Sequence, residues 1–448
     1  MTLRTAWLGA WVALAACGGE GPTEPRPEVD PPGPSAETTW LLGEIEPFAR
    51  TTPEGDFADL EPFRDAVGDA RIVALGEATH GTRDFFEMKD RLLRFLVTEM
   101  GFDAFAIEAS WPEANRLDTY VRTGVGDPAQ LLSGLYFWTW NTESVLAMIE
   151  WMREHNAAGG DVGFYGFDMQ YPGMAIDNLE ALVEQVEPEA LDELRSMLAC
   201  ITPYLNDSRG RFQQDYASQP LDYRQSCRED LHALSKWLAD REAPYVAAAS
   251  RSDYDRAAQS LRVALQWEAA ESGLRSRDES MAENAAWLTE QLGAGRKIVL
   301  WAHNYHVSTV AGAMGSYLRS TYGGQMVVLG FAFGAGDFTG VRMSGSTFVG
   351  LDRLTVGGPL SGSYEEIFAS TAVPRFYLDL RGRALDTSAS AWLAGPRTFR
   401  FIGCCFDPTR PTAFAYQSRL PAEFDGMIYI DRTTATTVLP FDYPPDFR

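Results

Sequence analysis

The sequence predicts an α/β fold, a largely parallel sheet flanked by helices, with a helical insertion packed over the strand carboxyl ends. Three observations predict it. Short apolar runs alternate with segments whose apolar residues recur at helical spacing. Between about residues 174 and 295 only amphipathic segments occur, and from Lys297 the alternation resumes. A strand–helix–strand rhythm of this kind builds parallel sheets with right-handed crossovers.

Residues 71–75 form a β-type run that ends in a glycine turn. Residues 83–100 follow, with Phe85, Met88, Leu92 and Leu96 on one helical stripe and Phe86, Leu93 and Val97 beside it. Thr82 is the candidate N-cap of this helix and Gly101 its stop. Residues 104–108 read as the next strand, 112–122 and 143–156 as helices, and 161–166 as a third strand. Within the insertion, amphipathic helices are predicted over 190–199, 225–239, 252–271 and 280–292. Residues 297–301 are then a strand, 311–322 a helix and 325–333 another strand. The last hundred or so residues mix short strands and turns and end in Phe424-Asp425-Gly426-Met427-Ile428-Tyr429-Ile430; no repeat is evident.

A chain of 448 residues, 45% apolar and 12% aromatic, can bury a sizeable core. Its 38 basic and 62 acidic residues give a net charge of −24. That balance argues against nucleic acid as a partner, because phosphate binding needs basic patches. A solvated acidic surface accounts for most of it. At the amino terminus, Arg4 precedes an apolar run from Ala6 to Ala16 that is too short to span a bilayer. This is the layout of a signal peptide. Its end, Leu14-Ala15-Ala16-Cys17, resembles the lipobox of bacterial lipoproteins. The expected organisation is a lipoprotein-type signal peptide over 1–17, a Pro/Gly-rich tether over 18–36, and one domain over 37–448. The protein is then exported to the cell envelope and meets the membrane only through a lipid anchor at Cys17. Export permits disulfides. Cys200 and Cys227 share a helical block and can pair or stay free, whereas for adjacent Cys404 and Cys405 buried thiols are expected.

In an open parallel sheet, ligands bind beyond the strand carboxyl ends, and the polar residues collect there. Glu77 and His80 follow the first strand in Gly76-Glu77-Ala78-Thr79-His80-Gly81, Glu108 closes the second, Asp168 follows the third, and His303 and His306 follow the strand ending at Trp301. Three of the five histidines thus fall on one rim. A carboxylate after a strand is commonly a helix cap or a solvated turn, so it is the convergence that carries weight. Such a group suits hydrolysis: an imidazole takes a proton from water, and a carboxylate, Glu77 or Glu108, fixes its tautomer. Lys89, two turns into the following helix, is placed to reach a developing oxyanion. There is no Gly-x-Ser-x-Gly elbow, no phosphate-cradling Gly-x-x-x-x-Gly-Lys loop, no complete dinucleotide fingerprint and no His-Glu-x-x-His. The spacing of His303 and His306 allows a zinc or manganese site without requiring one; no metal and no cofactor is assigned. The cluster Leu135-Tyr136-Phe137-Trp138-Thr139-Trp140 serves equally as a cleft wall or as core packing.

The run from Val73 to Arg83, continued by Lys89 to Leu96, resembles the erythromycin esterase family. So do Phe105-Ala106-Ile107-Glu108-Ala109, Arg277-Asp278 with Met281-Ala282-Glu283-Asn284, Val299-Leu300-Trp301-Ala302-His303-Asn304-Tyr305-His306, and the carboxy-terminal Phe424–Ile430 run. The resemblance covers about residues 40 to 437 in five ordered motifs. It implies an α/β core with a helical part and metal-independent hydrolysis of an ester or lactone, macrolides included, by a His-activated water. Under it His80 is the general base, Glu77 and Glu108 are its carboxylate neighbours, and His303 belongs to the catalytic group. Lys89, His306, Asp168 and Arg277 contact substrate, with a structural salt bridge as the other reading of Arg277 and Asp278. The partner implied is a small-molecule ester. The alternatives are a metal-dependent hydrolase on the same scaffold and a surface lipoprotein that binds a ligand without turning it over.

Overall fold

The computed structural model describes residues 34–212, 214–382, 385 and 387–441. The expected signal peptide over 1–17 and nearly all of the expected tether lie outside the described residues. Where description begins, Ser35 caps a helix over Ala36–Leu42, so the last tether position, Ala36, is already helical.

The described strands are β1 (Ile45–Pro47), β2 (Ile72–Leu75), β3 (Ala104–Ser110), β4 (Gly163–Asp168), β5 (Ile298–Trp301), β6 (Met326–Ser344), β7 (Thr347–Val356), β8 (Arg375–Asp379), β9 (Arg397–Arg400), β10 (Cys405–Phe406), β11 (Ala415–Ser418) and β12 (Gly426–Thr433). Ten of them form one sheet, ordered β1-β8-β12-β6-β2-β5-β3-β4, with β7 and β10 also paired to β6. From β12 to β4 every pairing along this path is parallel, and antiparallel partners occur only at β1, β8 and β7. The fold is therefore the mixed α/β, mainly parallel sheet that the alternation predicts.

Burial on both faces explains why the central strands are unbroken apolar runs. Successive side chains point to opposite faces. Val73, Leu75, Phe105, Ile107, Val299 and Trp301 pack with the helices Arg83–Met100, Trp111–Thr123 and Glu143–Ala157. Ile72, Ala74, Ala104, Ala106, Ile298 and Leu300 pack with Arg277–Gln291, Met314–Tyr322 and Tyr364–Ser370. Between β4 and β5 the chain is helical: Gly173–Val186, Leu191–Leu198, Leu221–Asp240, Glu242–Ala248, Arg251–Glu271 and Arg277–Gln291. The first five of these share a separate apolar core that includes Leu179, Leu194, Leu231, Leu261 and Trp267. Among the described residues, no helix is long and apolar enough to cross a membrane.

Several local expectations change. The strand expected over 325–333 runs on to Ser344 and turns back as β7 in an antiparallel hairpin. Gly334 and Gly336 do not stop it. A Cβ at either would collide with β12, at the Tyr429 hydroxyl and the Thr433 backbone, so these glycines permit close strand contact. Thr82 sits at the N-cap but makes no side-chain capping bond, because its hydroxyl pairs with Thr79 at 2.6 Å. Cys200 and Cys227 form a disulfide that staples the insertion. Cys404 and Cys405 are bridged as well, not free thiols. Cys404 lies in the turn after Gly403 (φ 63°) rather than in a strand, so the two neighbouring side chains need not point to opposite faces.

The histidine turn after β2 depends on close backbone contact. A Cβ on Gly81 would fall on the Thr339 carbonyl, while the Gly81 carbonyl accepts from the Thr339 and Thr436 amides at 2.9 and 3.0 Å. Backbone cannot move aside as a side-chain tip can. Gly81→Ala is accordingly expected to destabilise the protein by about 1–3 kcal/mol, read as a lower urea midpoint at unchanged slope.

Candidate active site

The turn carrying His80 is pinned on two sides. The His80 amide donates to the Gly403 carbonyl at 3.1 Å, the Ile402 amide to the Ala78 carbonyl at 2.9 Å, and the Asn304 amide to the Glu77 carbonyl at 2.9 Å. Asn304 in turn clamps Phe331 on β6 through both ends of its amide. His80 is thus held at the carboxyl ends of β2 and β5, in contact with the segment before β10.

Its side chain forms one end of a buried relay. His80 Nδ1 meets Glu77 Oε1 at 2.6 Å. Glu77 Oε2 accepts from Lys89 Nζ and, at 2.7 Å, from the Trp301 indole. Glu77 and Lys89 are fully buried, while the His80 side chain keeps 12% of its surface exposed. Burial opposes ionisation of Glu77, but the Lys89 ammonium and the His80 hydrogen bond outweigh it and hold the carboxyl below its usual value. Burial likewise pushes the Lys89 ammonium down to about 8, against the pull of Glu77. With Nδ1–H directed at the carboxylate, Nε2 is left as the basic nitrogen of the ring.

Lys89 therefore does not stand where a substrate could touch it. The helix Arg83–Met100 brings it in from beneath, its ammonium 4.2 Å from the Trp301 ring centre, and it acts on the site through Glu77. Of the two candidate carboxylates, Glu77 alone bonds to His80. Glu108, at the tip of β3, faces the other way: it accepts from Arg277 at 2.7 Å and from the His303 amide at 2.9 Å, and lies 3.4 Å from His306 Nε2.

Arg277 and His306 organise this second cluster. Arg277 lies at the start of the helix Arg277–Gln291, beside the strand tips, and its guanidinium bridges Glu108 and Asp168. Asp168 is locked further by the Met169 amide at 2.8 Å and Gln170 at 2.7 Å. His306 Nδ1 meets Asp278 at 2.8 Å, and its Nε2 meets Arg277 at 3.2 Å. Arg277 does form ion pairs, with Glu108 and Asp168, as the structural reading expects, and Asp278 hydrogen-bonds to His306; yet Arg277 remains 28% exposed toward a cleft. Against the cost of burial, His306 and Arg277 hold the Glu108 carboxyl far below its ordinary value.

A group whose folded pKa lies below its unfolded value contributes stability that is complete above that value, here 4.5, and is lost as pH falls through the folded one. Glu108→Gln should thus lag wild type most at about pH 7, with the gap in urea midpoint closing toward about pH 3. An equal gap at both pH values would contradict an ionised Glu108.

His303 joins the two clusters. Its ring centre lies 5.1 Å from that of His80, 6.4 Å from that of His306 and 4.4 Å from that of Phe401. Nδ1 accepts the Tyr305 amide at 3.3 Å, and Nε2 is buried. Burial pushes its pKa well down, and the neighbouring rings of His80 and His306 add to this. His303 stays neutral, so it does not compete with His80 for a proton.

Two residues outside the candidate set shape the site. Trp140 donates its indole N–H to the Glu108 carbonyl at 2.8 Å and sets its ring 5.7 Å from that of His80. Trp301 orients Glu77. A buried tryptophan needs an acceptor for its N–H, and that requirement is the sequence signal that could have singled both out. Among the described residues, no group of three or more His, Cys, Asp or Glu is arranged to hold a metal ion. A cleft that reaches Arg277 is walled by Phe137, Tyr171, Phe212, Tyr216 and Trp267, with Arg277 on its polar side.

Fold and site together make this a mixed α/β protein with a histidine, carboxylate and arginine cluster at the carboxyl ends of its parallel strands. The chain belongs to the erythromycin esterase family, whose model, described as "Erythromycin esterase", matches residues 97–433, and it is a hydrolase of that family. The matched span holds Glu108, Asp168, Arg277, His303 and His306; Glu77 and His80 precede it. Similarity over the longer chain is seen with "Putative hydrolase YbfO" of Bacillus subtilis (strain 168), 24% identical and covering 89% of this chain and 92% of that one. "Erythromycin esterase type II" of Escherichia coli is 22% identical, covering 89% and 98%. The crystal structure of a Bacillus cereus protein superposes with a TM-score of 0.77 at 25% identity, covering 90% of this chain and 98% of that one.

Proposed function

We propose that this protein hydrolyses a carboxylic ester or lactone with a water molecule activated by His80. The observation that carries the reading is the 2.6 Å contact between His80 Nδ1 and a buried Glu77 that Lys89 and Trp301 keep ionised and oriented. His80 Nε2 takes a proton from water as the water oxygen bonds to the carbonyl carbon, and the carbonyl π pair moves to oxygen. Collapse of the tetrahedral adduct breaks the bond to the alcohol oxygen, which leaves with the proton held by His80. Glu77 stabilises the imidazolium between these steps. Arg277 faces the cleft and holds polar oxygens of the substrate, while Glu108, Asp168 and His306 fix Arg277 in place. The match to a family with esterase members supports this chemistry; a macrolide lactone is one substrate to include in the test.

Purified protein incubated in ¹⁸O-water with a panel of macrolides and simple esters should yield an acid carrying one ¹⁸O, detected by mass spectrometry. Turnover should survive exhaustive chelation. Saturable binding of esters with no ¹⁸O uptake would end the hydrolase reading, and activity lost to chelation and restored by a metal would replace the mechanism.

A further inference from the structure

The cleft next to Arg277 is walled by aromatic rings from separate parts of the chain. Phe137 comes from the segment before the helix Glu143–Ala157, and Tyr171 from the turn after β4. Phe212, Tyr216 and Trp267 come from the helical insertion, Trp267 lying in Arg251–Glu271. Tyr171 and Phe212 lie nearly parallel with centroids 5.8 Å apart, and Phe212 and Trp267 do so at 6.2 Å, with an interplanar angle of 4°. Phe137 meets Tyr171 edge-on at 5.1 Å. Tyr171, Tyr216 and Trp267 are each nearly all buried and still line the cleft. Core packing therefore holds them rigid, each lending a small fixed patch of ring to the cleft, and the half-buried Phe212 ring supplies more of its apolar surface. A wall of this kind suits flat, ring-bearing apolar groups, with little ordering cost on binding. The opposite side is polar, with Arg277 bonded to Glu108, Asp168 and His306.

We propose, resting on the hydrolase reading above, that this cleft selects esters bearing a large, flat apolar ring system. Phe212 and Trp267 are its specificity-determining residues. The ring system lies along the wall formed by Tyr171, Phe212 and Trp267, and the ester is drawn toward the Arg277 side. Small aliphatic or single-ring esters leave the far end of the wall unfilled and are processed less well.

Phenyl acetate and 2-naphthyl acetate test this, because their leaving alcohols have similar acidity and differ by one fused ring. Wild type should prefer the naphthyl ester in kcat/KM by about tenfold or more. In Phe212→Ala and in Trp267→Ala that preference should fall by about tenfold. Phe212 is only half-buried, so its variant keeps the test alive if Trp267→Ala does not fold. A wild type without preference, or variants that slow both esters by one factor, would reduce these rings to structural parts and overturn the proposal. If wild type turns over neither ester, the hydrolase reading is decided by the wider ¹⁸O panel, and 2-naphthol binding by calorimetry judges the cleft separately. Saturable binding weakened about tenfold by Phe212→Ala keeps the ring-selective site, and absence of binding removes it.

Discussion

His80→Ala is expected to lower kcat on any ester the protein hydrolyses by about 10²–10⁴-fold, the usual contribution of a positioned general base. KM should change far less, because the cleft wall is built from other residues. The fold should survive: the turn is held by backbone bonds from Gly403, Ile402 and Asn304, none of which needs the imidazole. Circular dichroism and the urea midpoint check that point, and single-turnover kinetics check the chemical step. A loss below about tenfold would remove His80 from the reaction. Exogenous imidazole provides a second measurement, since partial rescue of kcat identifies a missing base rather than a disturbed cleft.

The largest stability effect is expected at Lys89. Lys89→Met keeps the apolar stem but leaves the Glu77 carboxylate buried, with only Trp301 and His80 as partners. Breaking a buried ion pair from one side typically costs about 3–5 kcal/mol, because an uncompensated charge remains. Lys89→Met should therefore lower the unfolding free energy by about that amount and also reduce kcat, since Glu77 no longer holds the tautomer of His80 firmly. Removing both charges in Lys89→Met/Glu77→Leu should recover much of the stability but none of the activity, so the double-mutant cycle shows a coupling energy of about 2 kcal/mol or more. A loss under about 1 kcal/mol for Lys89→Met alone would mean that Glu77 is not an ionised partner.

Much of this architecture was legible in the residues because burial on both faces leaves a plain mark. Residues of β2, β3, β4 and β5 are mainly apolar runs that end in a glycine, a carboxylate or, after β5, a histidine, and the helices between them carry clear stripes. β7 was not legible. It is an exposed partner of β6, and its solvent-facing residues show no regular alternation. β1 is a short edge strand, and its pairing with the short β8 joins residues some 330 positions apart, as in Ile45 with Leu378. The extension of β6 was masked by its own glycines, which look like a stop and serve as close-contact points.

The same division runs through the site. The local spacing of Glu77 and His80 places an acid beside a base within one turn, and the ends of three further strands supply Glu108, Asp168, His303 and His306 to a common rim. Spacing along a chain fixes only near neighbours. Whether Glu77 or Glu108 would orient His80 was settled by which strand tip faced which ring. Lys89 became a buried counter-ion rather than a group facing substrate because its helix packs underneath the sheet. The exchange of partners among Arg277, Asp168, Glu108 and His306 likewise rests on contacts between distant segments, Arg277 reaching Asp168 and Glu108 across 109 and 169 residues. Periodicity and composition record which residues must be buried; partner choice among distant charges depends on three-dimensional distance, which the linear order of residues does not contain.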